Sequence, residues 1–146
     1  MNYKGIAIAA DHAGFELKKE LLKHLQNKGI KIKDFGTHSP DSVDYPDFAH
    51  LLATAVENKE FSFGITICRT GNGMNMTVNK HMGIRSALCW NEEAARLARF
   101  HNDANICAIP ACFIDRDLAF HIVDIFLNTE FEGGRHKRRI EKIPIK

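Results

Sequence analysis

Apolar positions along the chain alternate between short β-branched blocks and longer stretches that repeat every three or four residues. Ile6-Ala7-Ile8-Ala9-Ala10 predicts a buried first strand, ending at Asp11-His12-Ala13-Gly14. Leu17, Leu21 and Leu25 are spaced by four and predict a helix, with Lys18, Lys19 and Lys23 on its outer side and Gly29 as its C-terminal cap. Ile30, Ile32 and Phe35 suggest a second strand, and Lys31 and Lys33 alternate with the isoleucines as at an edge. A loop of turn formers covers 36–46, and Asp44-Tyr45-Pro46-Asp47 leads into a helix marked by Phe48, Leu51, Leu52, Ala55 and Val56. Residues 63–68 read as a third strand and 72–80 as its helix. A fourth strand spans 83–90, after which Asn91 caps a helix with Glu92 and Glu93 in its first turn. Ala94, Leu97 and Ala98 line that helix's buried face, with His101 next on the stripe. A short strand at 105–109 and a helix marked by Leu118, Ala119, Ile122, Val123 and Phe126 follow. Glu132-Gly133-Gly134 then breaks the chain before a basic last helix at about 134–142.

Five alternations of strand and helix call for an α/β fold with a five-stranded parallel sheet, right-handed crossovers and helices on both faces. At 146 residues the chain fits one domain, 1–146, without repeat or linker. A net charge of +2 implies neither a nucleic-acid nor a membrane partner, although Arg135, Lys137, Arg138 and Arg139 cluster in the tail. The first apolar run is too short for a signal peptide or a membrane span. The four cysteines lack C-x-x-C spacing, as expected of free thiols in a reducing cytoplasm.

Ligands of such a sheet bind beyond the carboxyl ends of its strands, where Asp11-His12, the loop from Cys68 to Gly73 and the segment after Cys89 gather. Cys68 sits where a strand hands over to a helix, so outward N–H groups and the helix dipole are expected to lower its pKa and hold an anion. Spacing sets several chemistries aside. Met76 stands where a dinucleotide fingerprint needs its third glycine, no Walker loop is present, and Met74 stands where a cysteine phosphatase needs arginine. No spacing suggests zinc; His38, Asp41, Asp44 and His50 read as a solvated loop. Arg135 and Arg139, four apart, share a helix face and could grip one phosphate.

Several segments carry a resemblance. They are Ala10-Asp11-His12-Ala13-Gly14-Phe15, Val43-Asp44-Tyr45-Pro46-Asp47, Gly71-x-Gly73-Met74, His101-Asn102-Asp103-Ala104-Asn105 and Phe131-Glu132-Gly133-Gly134-Arg135-His136. In order, across almost the whole chain, they resemble the type B ribose-5-phosphate isomerases. The resemblance implies a Rossmann-like three-layer α/β/α sandwich and an aldose–ketose isomerase needing no metal or cofactor. Its substrates would be ribose 5-phosphate and ribulose 5-phosphate, in a homodimer or homotetramer with shared active sites. It implies Cys68 as the base working through a cis-enediolate, His101 assisting ring opening, and loop amides from about Thr70 to Asn75, including Gly71, Asn72 and Gly73, holding the enediolate oxygen. Asp11, Asn102 and Thr70 would orient hydroxyls, and His12, Arg135 and Arg139 would bind phosphate. Two positions depart from the family pattern: Arg69 replaces the usual glycine, and Cys112 the usual arginine. Arg69 either takes over anion binding from position 112 or fills space above Cys68 and changes the sugar accepted. Competing readings are an isomerase of a six-carbon sugar phosphate, such as allose or galactose 6-phosphate, and a non-catalytic sugar-phosphate binder.

Overall fold

A computed structural model describes residues 4–146. The elements run β1 (Ile6–Ala10), α1 (Phe15–Asn27), β2 (Ile32–Asp34), α2 (Tyr45–Glu57), β3 (Phe63–Cys68) and α3 (Asn72–Val78). They continue β4 (Ser86–Leu88), α4 (Glu92–Phe100), β5 (Ile106–Pro110), α5 (Arg116–Asn128) and α6 (Arg135–Ile140). The five strands lie in the order β2-β1-β3-β5-β4, every neighbouring pair parallel. The expected α/β sandwich is therefore present.

Alternation along β1 divides the core. Ile6, Ile8 and Ala10 join Leu21, Leu25, Ala119, Ile122 and Phe126 on one face, under α1, α4 and α5. Ala7 and Ala9 join Ala49, Leu52, Met74 and Val78 on the other, under α2 and α3. Crossovers running toward the β2 edge use the first face and those running toward β4 use the second, as one constant handedness requires.

Four local expectations are corrected. Lys18 points inward: its side chain is 1% exposed, and Nζ meets both Asp34 carboxylate oxygens at 2.7 and 2.8 Å while donating to the Thr37 carbonyl. Leucine spacing alone could not reveal an amphipathic stem sealed by a carboxylate. The buried stripe of α4 comprises Ala95, Ala98 and Arg99, leaving Ala94 and Leu97 half-buried. Arg99 turns in because its guanidinium lies 4.7 Å from the Phe63 ring centre and donates to Asp103 and the Ala104 carbonyl. Leu51 is 55% exposed despite sharing the apolar period of α2. The fourth strand is shorter than expected, since side chains hold its flanks: Gly83 N–H donates to Glu57 Oε1 and Arg85 N–H to Asn105 Oδ1.

Candidate active site

The chain crosses from β1 outward to β2 on one side and reaches β3 on the other. The switch point of the sheet therefore lies between the carboxyl ends of β1 and β3, where a crevice opens in folds of this class. Asp11 follows β1 and Cys68 ends β3. The Asp11 N–H donates to the Ile67 carbonyl at 3.2 Å, stitching the two ends together. Asp11 is itself buried, and its Oδ1 accepts from Gly14 N–H at 3.0 Å at the start of α1. That turn needs glycine, because a Cβ on Gly14 would sit 2.4 Å from the Ile67 carbonyl oxygen. His12 is exposed, its Nδ1 accepting from Val43 N–H at 3.2 Å.

After Cys68, Arg69 and Thr70 lead to Gly71, which caps α3 at φ +79°, a left-handed conformation that favours glycine. Thr70 Oγ1 accepts from Asn72 N–H at 3.3 Å, Gly73 packs under the Tyr45 ring, and Asn75 keeps its Oδ1 buried without a hydrogen-bond partner among the described residues. The loop is braced against β5: Ala111 N–H donates to the Cys68 carbonyl and Cys112 N–H to the Arg69 carbonyl, both at 2.9 Å. Arg69 and Cys112, the two positions that depart from the family pattern, are thus hydrogen-bonded neighbours, both exposed.

Cys68 is 4% exposed. Its thiol pKa lies above the ordinary value of 9.0, contrary to the lowering expected from position alone. Burial is the largest cause, and the Asp11 carboxylate adds to it. The amides of Met74, Gly71 and Gly73 pull the other way and are outweighed. Three loop amides face the sulfur, yet desolvation sets the sign.

A second group of predicted residues lies elsewhere. His101 caps the C-terminus of α4, and Asn102 follows it before β5 begins. Helices of this sheet end at its amino edge, and Gly64 N–H at the start of β3 donates to the Asn105 carbonyl. Cys68 is four residues farther along β3, about 13 Å at the usual strand rise. The hydrogen bond from Glu132 N–H to the Phe100 carbonyl, at 3.0 Å, ties the segment before α6 to the same edge. His136 stacks on His101 with ring centres 4.4 Å apart and planes 16° from parallel, while Arg135 and Arg139 stay exposed on α6. The structure therefore gathers Asp11, His12, Cys68, Arg69, Thr70, Gly71, Asn72 and Gly73 at one edge. His101, Asn102, Arg135 and Arg139 gather at the other.

Sequence reasoning assigns no role to His136, the last residue of the Phe131-to-His136 segment, which is 7% exposed. It also missed that His101, Glu132 and His136 converge, with donor atoms within 4.8 Å of one another. A cavity of about 460 Å³ between Phe61, Phe63, Arg85 and Arg99 holds none of the predicted residues.

Comparison with known proteins places this geometry. The family described as ribose/galactose isomerase matches residues 6–143. The ribose-5-phosphate isomerase B of Escherichia coli is 43% identical over 140 residues, covering 96% of this chain and 94% of that protein. A crystal structure of a ribose 5-phosphate isomerase from Thermotoga maritima superposes with a TM-score of 0.94 at 52% identity, covering 95% of this chain and 96% of the other. The ribose-5-phosphate isomerase B of Mycoplasma genitalium, solved with bound ribulose-5-phosphate, superposes with a TM-score of 0.91 at 45% identity, covering 94% and 92%. The chain belongs to the ribose/galactose isomerase family.

Proposed function

We propose that this protein is a sugar-phosphate isomerase interconverting ribose 5-phosphate and ribulose 5-phosphate. The observation that carries the reading is Cys68, buried beside Asp11 at the switch point of the sheet with three loop amides drawn toward its sulfur. The Cys68 thiolate takes the C2 proton of the open-chain aldose, and the electron pair moves onto O1 to give a cis-enediolate. Amides of the loop from Thr70 to Asn75 hold that oxygen. The thiol then returns the proton to C1 while the O2 proton passes to O1, leaving the ketose. His101 moves a proton at the ring oxygen when the furanose opens. Asp11, Thr70 and Asn102 orient hydroxyls, and His12, Arg135 and Arg139 hold the phosphate. Free thiols at all four cysteines suit a reducing compartment such as the cytoplasm.

Sheet topology supports a site completed by a second copy, because the Cys68 and His101 groups occupy opposite edges of one chain. The working unit is a homodimer or homotetramer in which each thiol cradle faces the histidine and arginines of a neighbour.

Arg69, exposed directly after Cys68, favours a second reading in which a six-carbon sugar phosphate is preferred. Solvent deuterium exchange at C2, measured over five- and six-carbon aldose phosphates, decides between them. Ribose 5-phosphate should exchange fastest, and Cys68→Ser should slow it by about 10²–10⁴-fold. Faster exchange with a six-carbon sugar would move the assignment there. Full activity in Cys68→Ser would remove the thiol mechanism.

A further inference from the structure

We propose that His101, Glu132 and His136 form a transition-metal site, through which Zn²⁺ or a similar cation switches the isomerase off. Two imidazoles and a carboxylate are the ligand set of open zinc centres, which leave a fourth position for water or substrate. All three donor atoms lie within 4.8 Å of one another.

A second observation marks the cluster as unfinished. His136 is 7% exposed, and its buried Nε2 forms an ion pair with Glu132 Oε2 at 2.9 Å but makes no well-directed hydrogen bond among the described residues. The two groups pair by charge without hydrogen-bond alignment, and a cation between them would give both a well-directed partner. Glu132 is already positioned, since its own N–H donates to the Phe100 carbonyl next to His101.

Access differs among the three ligands. Glu132 is exposed and His101 half-exposed, so an ion arrives from water on that side and meets the buried His136 last. The parallel stack of His101 on His136 does not aim both rings at one point, so His101 must turn out of the stack to ligate. An imidazole lone pair given to a metal is no longer available to a sugar ring. The metal therefore competes with the cyclic substrate, a consequence that rests on the role assigned to His101 above.

Zinc binding to the full chain tests this, using isothermal titration with Zn²⁺ alone and no sugar. The background is Cys112→Ser, so that the exposed thiol does not compete. The expected result is one ion per chain at micromolar affinity, weakened at least tenfold by Glu132→Gln and by His136→Asn. Under assay conditions Zn²⁺ should inhibit, and Glu132→Gln should keep its uninhibited rate within about twofold while losing the inhibition. Affinity unchanged in both variants would overturn the site, as would inhibition that persists in Glu132→Gln. Zinc bound as expected by a protein without isomerase activity would uphold the site and remove the catalytic reading instead.

Discussion

At the scale of single residues, the sign of the Cys68 shift governs how the protein responds to pH. Its pKa is raised by burial, so the neutral thiol is the form the fold favours. Stability from this preference is fully present below the ordinary thiol pKa and is lost as pH climbs through the raised value. Activity runs the other way, because the thiolate is the base. The ratio kcat/KM should rise with pH on the alkaline side of neutrality and show no plateau until above pH 9.0, which a pH–rate profile checks. Arg69 offers a second residue-scale test. Its carbonyl accepts from Cys112 N–H, so the two side chains leave the loop from neighbouring backbone positions. Arg69→Gly should raise KM for the sugar phosphate about tenfold, or ~1.4 kcal/mol, with kcat held within about twofold. An unchanged KM would show that this guanidinium holds no anion.

Elements meet closely where the chain turns from β1 into α1. The Gly14→Ala variant would drive a methyl to 2.4 Å from the Ile67 carbonyl oxygen. Backbone on both sides would have to shift, at a cost of about 1–3 kcal/mol in urea unfolding, with Cys68 at the next residue displaced as well. The same scale shows what the sequence could disclose. Strand and helix periods were legible because β-branched blocks and leucine spacings report burial directly, as in Ile6–Ala10 and α1. Lys18 and Arg99 were not, because each is buried through a partner distant in sequence: Asp34 for one, the Phe63 and Phe126 rings for the other. For the candidate site, Asp11, Cys68 and the glycine loop were legible from strand ends. The thiol's upward shift was not, since desolvation depends on how the whole chain packs around Cys68. His136 was hidden for a related reason, its burial being set by contact with His101.

The molecule as a whole places the two candidate halves of its site on opposite edges of one sheet, so a shared site has a distinctive signature. Mixing Cys68→Ser chains with His101→Ala chains should restore activity that neither has alone. In a symmetric pair, half the dimers are mixed and each keeps one intact site, giving about one quarter of the native rate. No recovery after subunit exchange would place catalysis within single chains. A last consequence follows from where the sulfurs lie. Cys68, Cys89 and Cys107 are buried, and Cys112 alone of the four faces solvent. An electrophile or peroxide supplied at one equivalent will be intercepted at Cys112, a sacrificial nucleophile at the rim. Label uptake should then run ahead of inactivation, and counting modified thiols would overstate how much catalyst has been lost.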